Sequence, residues 1–211
     1  MTTTMRLTWS SRSPYVRKVM VAAHELGLAG RIETVPTLAS MAGVQAAAMA
    51  SNPLGKIPSL TLPDGEVVYD SLCICEALDE IAGGGRLFPA GGRARRDALR
   101  WHTLADGLLD ILLIWRSLRE LPEERQPPGW LEGFRAKVPA VLDRLEREVP
   151  ALRAATPAFG IGHVTVGVAL AYADFRFPEI PWREGRPALA GWHAGFSERP
   201  SARATVFHDP R

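Results

Sequence analysis

Over the first 82 residues the chain alternates short apolar runs with amphipathic stretches, and beyond them only helical periodicity remains. Arg6–Trp9 predicts a short strand. After Ser13, residues Val16, Val19, Ala23 and Leu26 recur at the interval of a helix face, which assigns Arg17, Lys18, His24 and Glu25 to the other side. Ser13 suits the N-cap, Pro14 the first turn, and Gly27 and Gly30 the exit. Arg31–Val35 predicts a second strand, and the small residues of Ala39–Ala50 a second helix. Ile57–Leu62 and Glu66–Tyr69 follow as strands around Pro63-Asp64-Gly65, a hairpin signal. Asp70 then caps a helix running to about Ile81, with Leu72, Cys75, Leu78 and Ile81 on its apolar side.

The resulting order, β-α-β-α-β-β-α, is that of a thioredoxin-like domain over residues 1–82: a mixed sheet with helices packed on it. Gly83-Gly84-Gly85 and the segment through Gly92 predict a flexible linker, 83–92. Residues 93–211 predict an all-helical domain. Arg95–Leu118 carries Ala98, Trp101, Ala105, Leu108, Leu112 and Trp115 at helical spacing. Trp130–Leu152 repeats the pattern, and Ile161–Phe175 and Pro187–Gly195 complete it. The fold class is therefore α/β plus all-α.

Composition narrows the function. At 211 residues, 46% hydrophobic and 23% charged, the chain can bury one large core or two small ones, which excludes disorder as its main state. A formal charge of +2 leaves no electrostatic footprint for nucleic acid. Cys73 and Cys75 are too close in sequence for an ordinary disulfide and fall on different sides of a helix, which points to a reducing, cytoplasmic setting and against a metal pair. The histidines show no ligand spacing, so no metal is expected. The N-terminal residues contain no signal-peptide core. The uncharged stretches Thr34–Gly55 and Ala154–Ala173 are interrupted by proline and glycine, so no membrane partner is expected either. The second stretch predicts a helix buried on most sides.

Three segments can carry chemistry. Ser13 places a hydroxyl at a helix start, where free N–H groups and the positive end of the dipole favour an anion such as a thiolate; the plain alternative is a simple cap. In Asn52-Pro-Leu-Gly-Lys-Ile-Pro58, the proline marks an edge residue or a cis turn. A cis Ile57–Pro58 bond would turn the main chain of Ile57 toward an extended peptide, with Lys56 beside it for a carboxylate; the alternative is a solvated lysine before a strand. Asp70-Ser71 offers a second helix start and a carboxylate for an ammonium group, against an ordinary cap. Together they suit a small peptide bearing both charges.

These segments, with Ser-Pro-Tyr-Val-Arg-Lys-Val (13–19), Tyr-Asp-Ser (69–71), Leu-Ala-Asp-Gly-Leu-Leu-Asp (104–110), Ala-Tyr-Ala-Asp-Phe-Arg-Phe (171–177) and Arg-Pro-Ser-Ala-Arg (199–203), resemble the bacterial glutathione transferases over nearly the whole length. The resemblance implies glutathione as co-substrate, conjugated to a small apolar electrophile in a detoxifying homodimer. It implies that Ser13 contacts the sulfur, with Ser10 and Ser11 as fallbacks. It further implies Lys56 at the glycine carboxylate, Ile57 as main-chain partner of the cysteinyl moiety, Pro58 as the cis-proline, and Asp70 and Ser71 at the γ-glutamyl end. Trp9, Trp101, Trp115 and Tyr172 are candidates for the electrophile site, against plain core packing. Two other readings stand beside transfer: a glutathione-linked thiol–disulfide oxidoreductase or lyase, disfavoured by serine at position 13, and a glutathione-binding or stress-partner module without catalysis. One departure is the run Gly160-Ile161-Gly162-His163, where the family often carries Ser/Thr-x-x-Asp; a modest cost in stability is expected.

Overall fold

The computed structural model describes residues 4–40 and 43–209. The chain forms two units, Met1–Ala90 with Arg199–Arg211, and Gly91–Glu198. By sequence the helical domain runs on to residue 211; here the segment from Arg199 groups with the first unit, because charged and apolar contacts tie it to the first helix.

In the first unit β1 (Met5–Trp9), α1 (Pro14–Glu25) and β2 (Ile32–Pro36) form a β-α-β crossover. β1 pairs in parallel with β2, from Met5↔Ile32 to Trp9↔Pro36, and antiparallel with β3 (Leu60–Thr61), which pairs with β4 (Val67–Val68). The sheet order is β2-β1-β3-β4. Its core is made by Met5, Leu7 and Leu60 from the strands, with Val16, Val19, Ala22 and Ala23 of α1 and Ile74, Cys75 and Leu78 of α3 (Ser71–Ile81). The expected alternation of elements is present. The helix predicted over Ala39–Ala50 shortens to α2, Ala46–Met49; its residues 41–42 lie outside the described residues. Ile81, assigned to the apolar side of α3, is 40% exposed, and Ile74 takes the buried place.

Two features fix what the sequence marks as a linker. Gly83, Gly84 and Gly85 all adopt positive φ, a run that side-chain-bearing residues resist. The buried Asp79 carboxylate then accepts from the main-chain N–H groups of Arg86, Leu87 and Phe88 at 3.0, 2.9 and 3.2 Å. Leu87 and Phe88 are buried in consequence.

Lys18 is fully buried and Arg17 nearly so, although both lie off the apolar stripe of Val16, Val19, Ala23 and Leu26. α1 is covered on two sides, by α3 and by α8 (Pro200–Arg203). Arg17 donates to the Ala202 carbonyl at 3.2 Å and its guanidinium lies 4.5 Å from the centre of the Phe207 ring. Burial lowers its pKa to about 10. Nearby, Glu25 accepts from Arg199 (2.7 and 2.9 Å) and from the Ser201 hydroxyl (2.5 Å).

The second unit is helical among its described elements: α4 (Gly92–Arg119), α5 (Pro128–Arg153), α6 (Ile161–Arg176) and α7 (Pro187–Ser197), with one 3-10 turn at Glu123–Arg125. α6 is its centre, buried without interruption from Ile161 to Leu170, as the uncharged stretch predicts. It approaches α4 and α7 closely because glycine stands at the contacts: a Cβ on Gly162 would fall 2.9 Å from Trp101 Cβ. The N-terminus of α6 has no side chain at its Gly160 cap. The return half of a capping box still forms, because Gly160 N–H donates to His163 Nδ1 at 3.0 Å. Arg93, in the basic run that opens α4, lies 3.5 Å from Asp97 one turn on and is otherwise solvated.

Candidate active site

β1 ends at Trp9, and the chain turns through Ser10–Ser13 into α1. Ser13 N–H donates to the Ser10 carbonyl at 3.2 Å, and Arg12 N–H to Ser10 Oγ at 3.4 Å. Ser13 Oγ accepts from Val16 N–H at 3.3 Å, the expected cap. That bond uses an oxygen lone pair and leaves the hydroxyl hydrogen with no acceptor among the described residues. Capping and donation to a ligand are thus compatible in one side chain. Ser11 differs, since its hydroxyl donates to the His208 carbonyl at 2.8 Å.

The second segment is shaped by Asn52, which is 2% exposed. Its Oδ1 accepts from Leu54 N–H at 3.0 Å and its Nδ2 donates to the Lys56 carbonyl at 3.3 Å. Gly55 completes the turn at φ +64°, a left-handed conformation that favours glycine. Lys56 projects into solvent without an ion pair among the described residues, and neither the N–H nor the C=O of Ile57 has a partner among them. The Ile57–Pro58 bond is cis. Beyond it Ser59 N–H donates to Thr8 Oγ1 at 2.7 Å and Thr8 N–H to the Ser59 carbonyl at 3.0 Å. This stitching holds the segment beside the end of β1, next to the turn that carries Ser13.

The third segment opens α3. Asp70 is its N-cap, with Oδ1 accepting from Leu72 N–H at 2.9 Å, and the Tyr69–Asp70 bond is also cis. Ser71, 3% exposed, accepts at Oγ from Lys18 Nζ at 3.0 Å, a bond that ties α3 to α1. The Lys18 ammonium also lies 5.1 Å from the centre of the Tyr15 ring. The arrangement gathers two helix N-termini, an unpaired cation and an unpaired stretch of main chain around one end of the sheet. Such a surface is suited to a ligand with anionic groups at several points and a peptide backbone between them.

The electrophile-site candidates separate. Trp101 is 3% exposed, with its indole N–H donated to Glu148 at 2.5 Å. Burial pushes the Glu148 carboxyl up, but hydrogen bonds from Arg100, Trp101 and Arg144 outweigh it and hold it below the usual range. Tyr172 is 1% exposed, and burial raises its phenol against the neighbouring Arg116 and Arg176 charges. Both side chains are buried, as the plain core-packing alternative expects. Trp115 is half-buried against Phe134 and Phe177, at 5.9 and 5.2 Å between ring centres, and lines a cavity of about 360 Å³ with Arg119, Leu131 and Ile180. Trp9 is half-buried in the first unit, with the His208 ring 6.5 Å away. No cluster of three or more His, Cys, Asp or Glu able to hold a metal occurs among the described residues, and no helix among them is long and apolar enough to cross a membrane.

Residues 12–81 match the glutathione S-transferase N-terminal domain, and residues 128–195 the glutathione S-transferase C-terminal domain. A glutathione transferase family member from Pseudomonas fluorescens Pf-5, solved with bound glutathione, is 39% identical and superposes with a TM-score of 0.92 over 98% of this chain and 100% of its own. A glutathione S-transferase from Methylobacillus flagellatus KT, also with glutathione bound, is 33% identical with a TM-score of 0.87 over 96% and 99%. YibF of Escherichia coli K12, an uncharacterized GST-like protein, is 28% identical over 186 residues, 88% of this chain and 90% of that one. The chain belongs to the glutathione S-transferase family.

Proposed function

We propose that the protein is a glutathione-dependent transferase, in which Ser13 and the N-terminus of α1 stabilise the glutathione thiolate for attack on a small apolar electrophile. The observation that carries this reading is the Ser13 hydroxyl: its oxygen caps α1 while its hydrogen is uncommitted. Donation of that hydrogen to sulfur is a charge-assisted bond worth about 1.5–3 kcal/mol. Each unit of lowering in the thiol pKa requires about 1.4 kcal/mol, so the bond accounts for one to two units, and the helix dipole adds to it.

The other residues hold the tripeptide. The free main chain of Ile57 pairs with that of the cysteinyl residue, Lys56 meets the glycine carboxylate, and Ser71 and Asp70 meet the carboxylate and ammonium of the γ-glutamyl end. The thiol proton passes to solvent. The thiolate forms a carbon–sulfur bond, and the leaving group of the electrophile departs with the bonding pair. A homodimer working in the cytoplasm is the assembly this reading carries with it. Disulfide exchange is disfavoured by the same Ser13, which cannot form a mixed disulfide.

The test is Ser13→Ala, assayed with an aryl halide alongside calorimetric titration with glutathione. Turnover should fall on the order of 10- to 100-fold while affinity changes little. Unchanged turnover overturns the assignment of Ser13. Glutathione binding by the wild type without conjugation of any electrophile in a broad panel overturns transfer in favour of a binding module.

A further inference from the structure

A lysine with no exposed surface in the middle of α1 needs a reason beyond packing, because burying a charge is costly and a methionine or leucine would fill the space. The Lys18 contact with Ser71 has a definite direction. A lysine ammonium carries only donors, so at 3.0 Å Lys18 Nζ donates and Ser71 Oγ accepts. The Ser71 hydroxyl hydrogen must then point elsewhere, and no acceptor for it exists among the described residues. Ser71 stands in the first turn of α3, where its own N–H also lacks a partner among the described residues. Left to itself a serine at this position can rotate its hydroxyl to donate or accept. With Lys18 on one lone pair, the hydroxyl hydrogen is turned away from the ammonium and left to donate outward.

We propose that Lys18 is a positioning residue for the γ-glutamyl carboxylate of glutathione: it turns the Ser71 hydroxyl hydrogen outward as a donor. This rests on the reading of the site as a glutathione site. It assigns to α1 two separate tasks, one for the sulfur through Ser13 at its tip and one for the far end of the tripeptide through Lys18 a turn later. Lys18 itself makes no contact with ligand. Its effect is confined to a ligand with a carboxylate at that point.

The test uses that selectivity. The full-length wild type, Lys18→Met, Ser71→Ala and the double variant are titrated calorimetrically with glutathione and with γ-aminobutyryl-cysteinyl-glycine, which keeps the amine but lacks the glutamyl carboxylate. The wild type should prefer glutathione. Lys18→Met should weaken glutathione binding about tenfold, leave the analogue's affinity unchanged, and add nothing further in the Ser71→Ala background. A variant that weakens both ligands equally, or keeps the preference for glutathione, overturns the proposal and leaves Lys18 a structural tie. If Lys18→Met does not fold, Ser71→Ala decides alone: a retained preference overturns the proposal, since Lys18 acts only through Ser71. Wild type that binds both ligands equally also overturns it while leaving the glutathione site intact, whereas wild type that binds neither overturns the site itself.

Discussion

His163 Nε2 donates to the carbonyl of Leu152 at 2.7 Å, so one imidazole joins the start of α6 to the end of α5. A carbonyl only accepts, which fixes the hydrogen on Nε2 and leaves Nδ1 to accept from Gly160 N–H. The histidine thus replaces both the acceptor of a capping box and a link between helices. His163→Ala leaves a buried N–H and a buried C=O without partners and should cost about 2–4 kcal/mol in urea unfolding. His163→Asn keeps an acceptor near Gly160 but falls short of Leu152, and should cost less.

Gly167 sets the distance between α6 and α7. A Cβ there would lie 2.3 Å from the Phe196 ring, well inside contact distance. Gly167→Ala should lower stability by about 1–3 kcal/mol. Adding Phe196→Leu should recover part of that loss, and thermal melts of the two single variants and the double variant measure the coupling.

Glu25 makes the attachment of the C-terminal segment depend on acid. Burial raises its carboxyl, but hydrogen bonds from Arg199 and Ser201 and the charges of Arg199 and Arg86 prevail, leaving it below the usual range. A carboxyl lowered on folding contributes stability above its unfolded pKa of about 4.3 and loses it as pH falls through the folded value. The stability gap between wild type and Glu25→Gln should therefore be largest near neutrality and close in acid. Urea unfolding across that range checks it, and a gap that widens on acidification contradicts the sign.

Asn52 binds the loop on both sides of Gly55 and so presents Lys56 and Ile57. Asn52→Ala should weaken glutathione binding about tenfold with little change in turnover at saturation, because in the proposed site the loop meets the tripeptide away from the reacting sulfur. Steady-state kinetics separates the two.

Local pattern carried most of this molecule. Ser13, Pro14 and the apolar spacing of α1 are contiguous signals, and so are the Pro63–Gly65 hairpin and the uncharged run of α6. What it missed depends on distant chain. The burial of Arg17 and Lys18 has no local signal, because nothing near them in sequence announces that α3 and the segment around Ala202 will cover them. No local pattern singles out Asp79, yet it holds three main-chain groups of the following segment. Trp101 and Tyr172 carry rings that suit either a ligand or a core, and only burial separates the two. Of the site, the cis Pro58 and the cap role of Ser13 were legible. The direction of the Lys18–Ser71 bond was not, since it requires both atoms in space.

Ultraviolet absorbance of the bound thiolate, followed against pH for the glutathione complexes of the wild type and Ser13→Ala, reads the state of the sulfur itself. The wild-type complex should ionise one to two units below free glutathione, and Ser13→Ala should move that ionisation back toward the free value. Identical titrations for the two complexes would contradict the role given to Ser13.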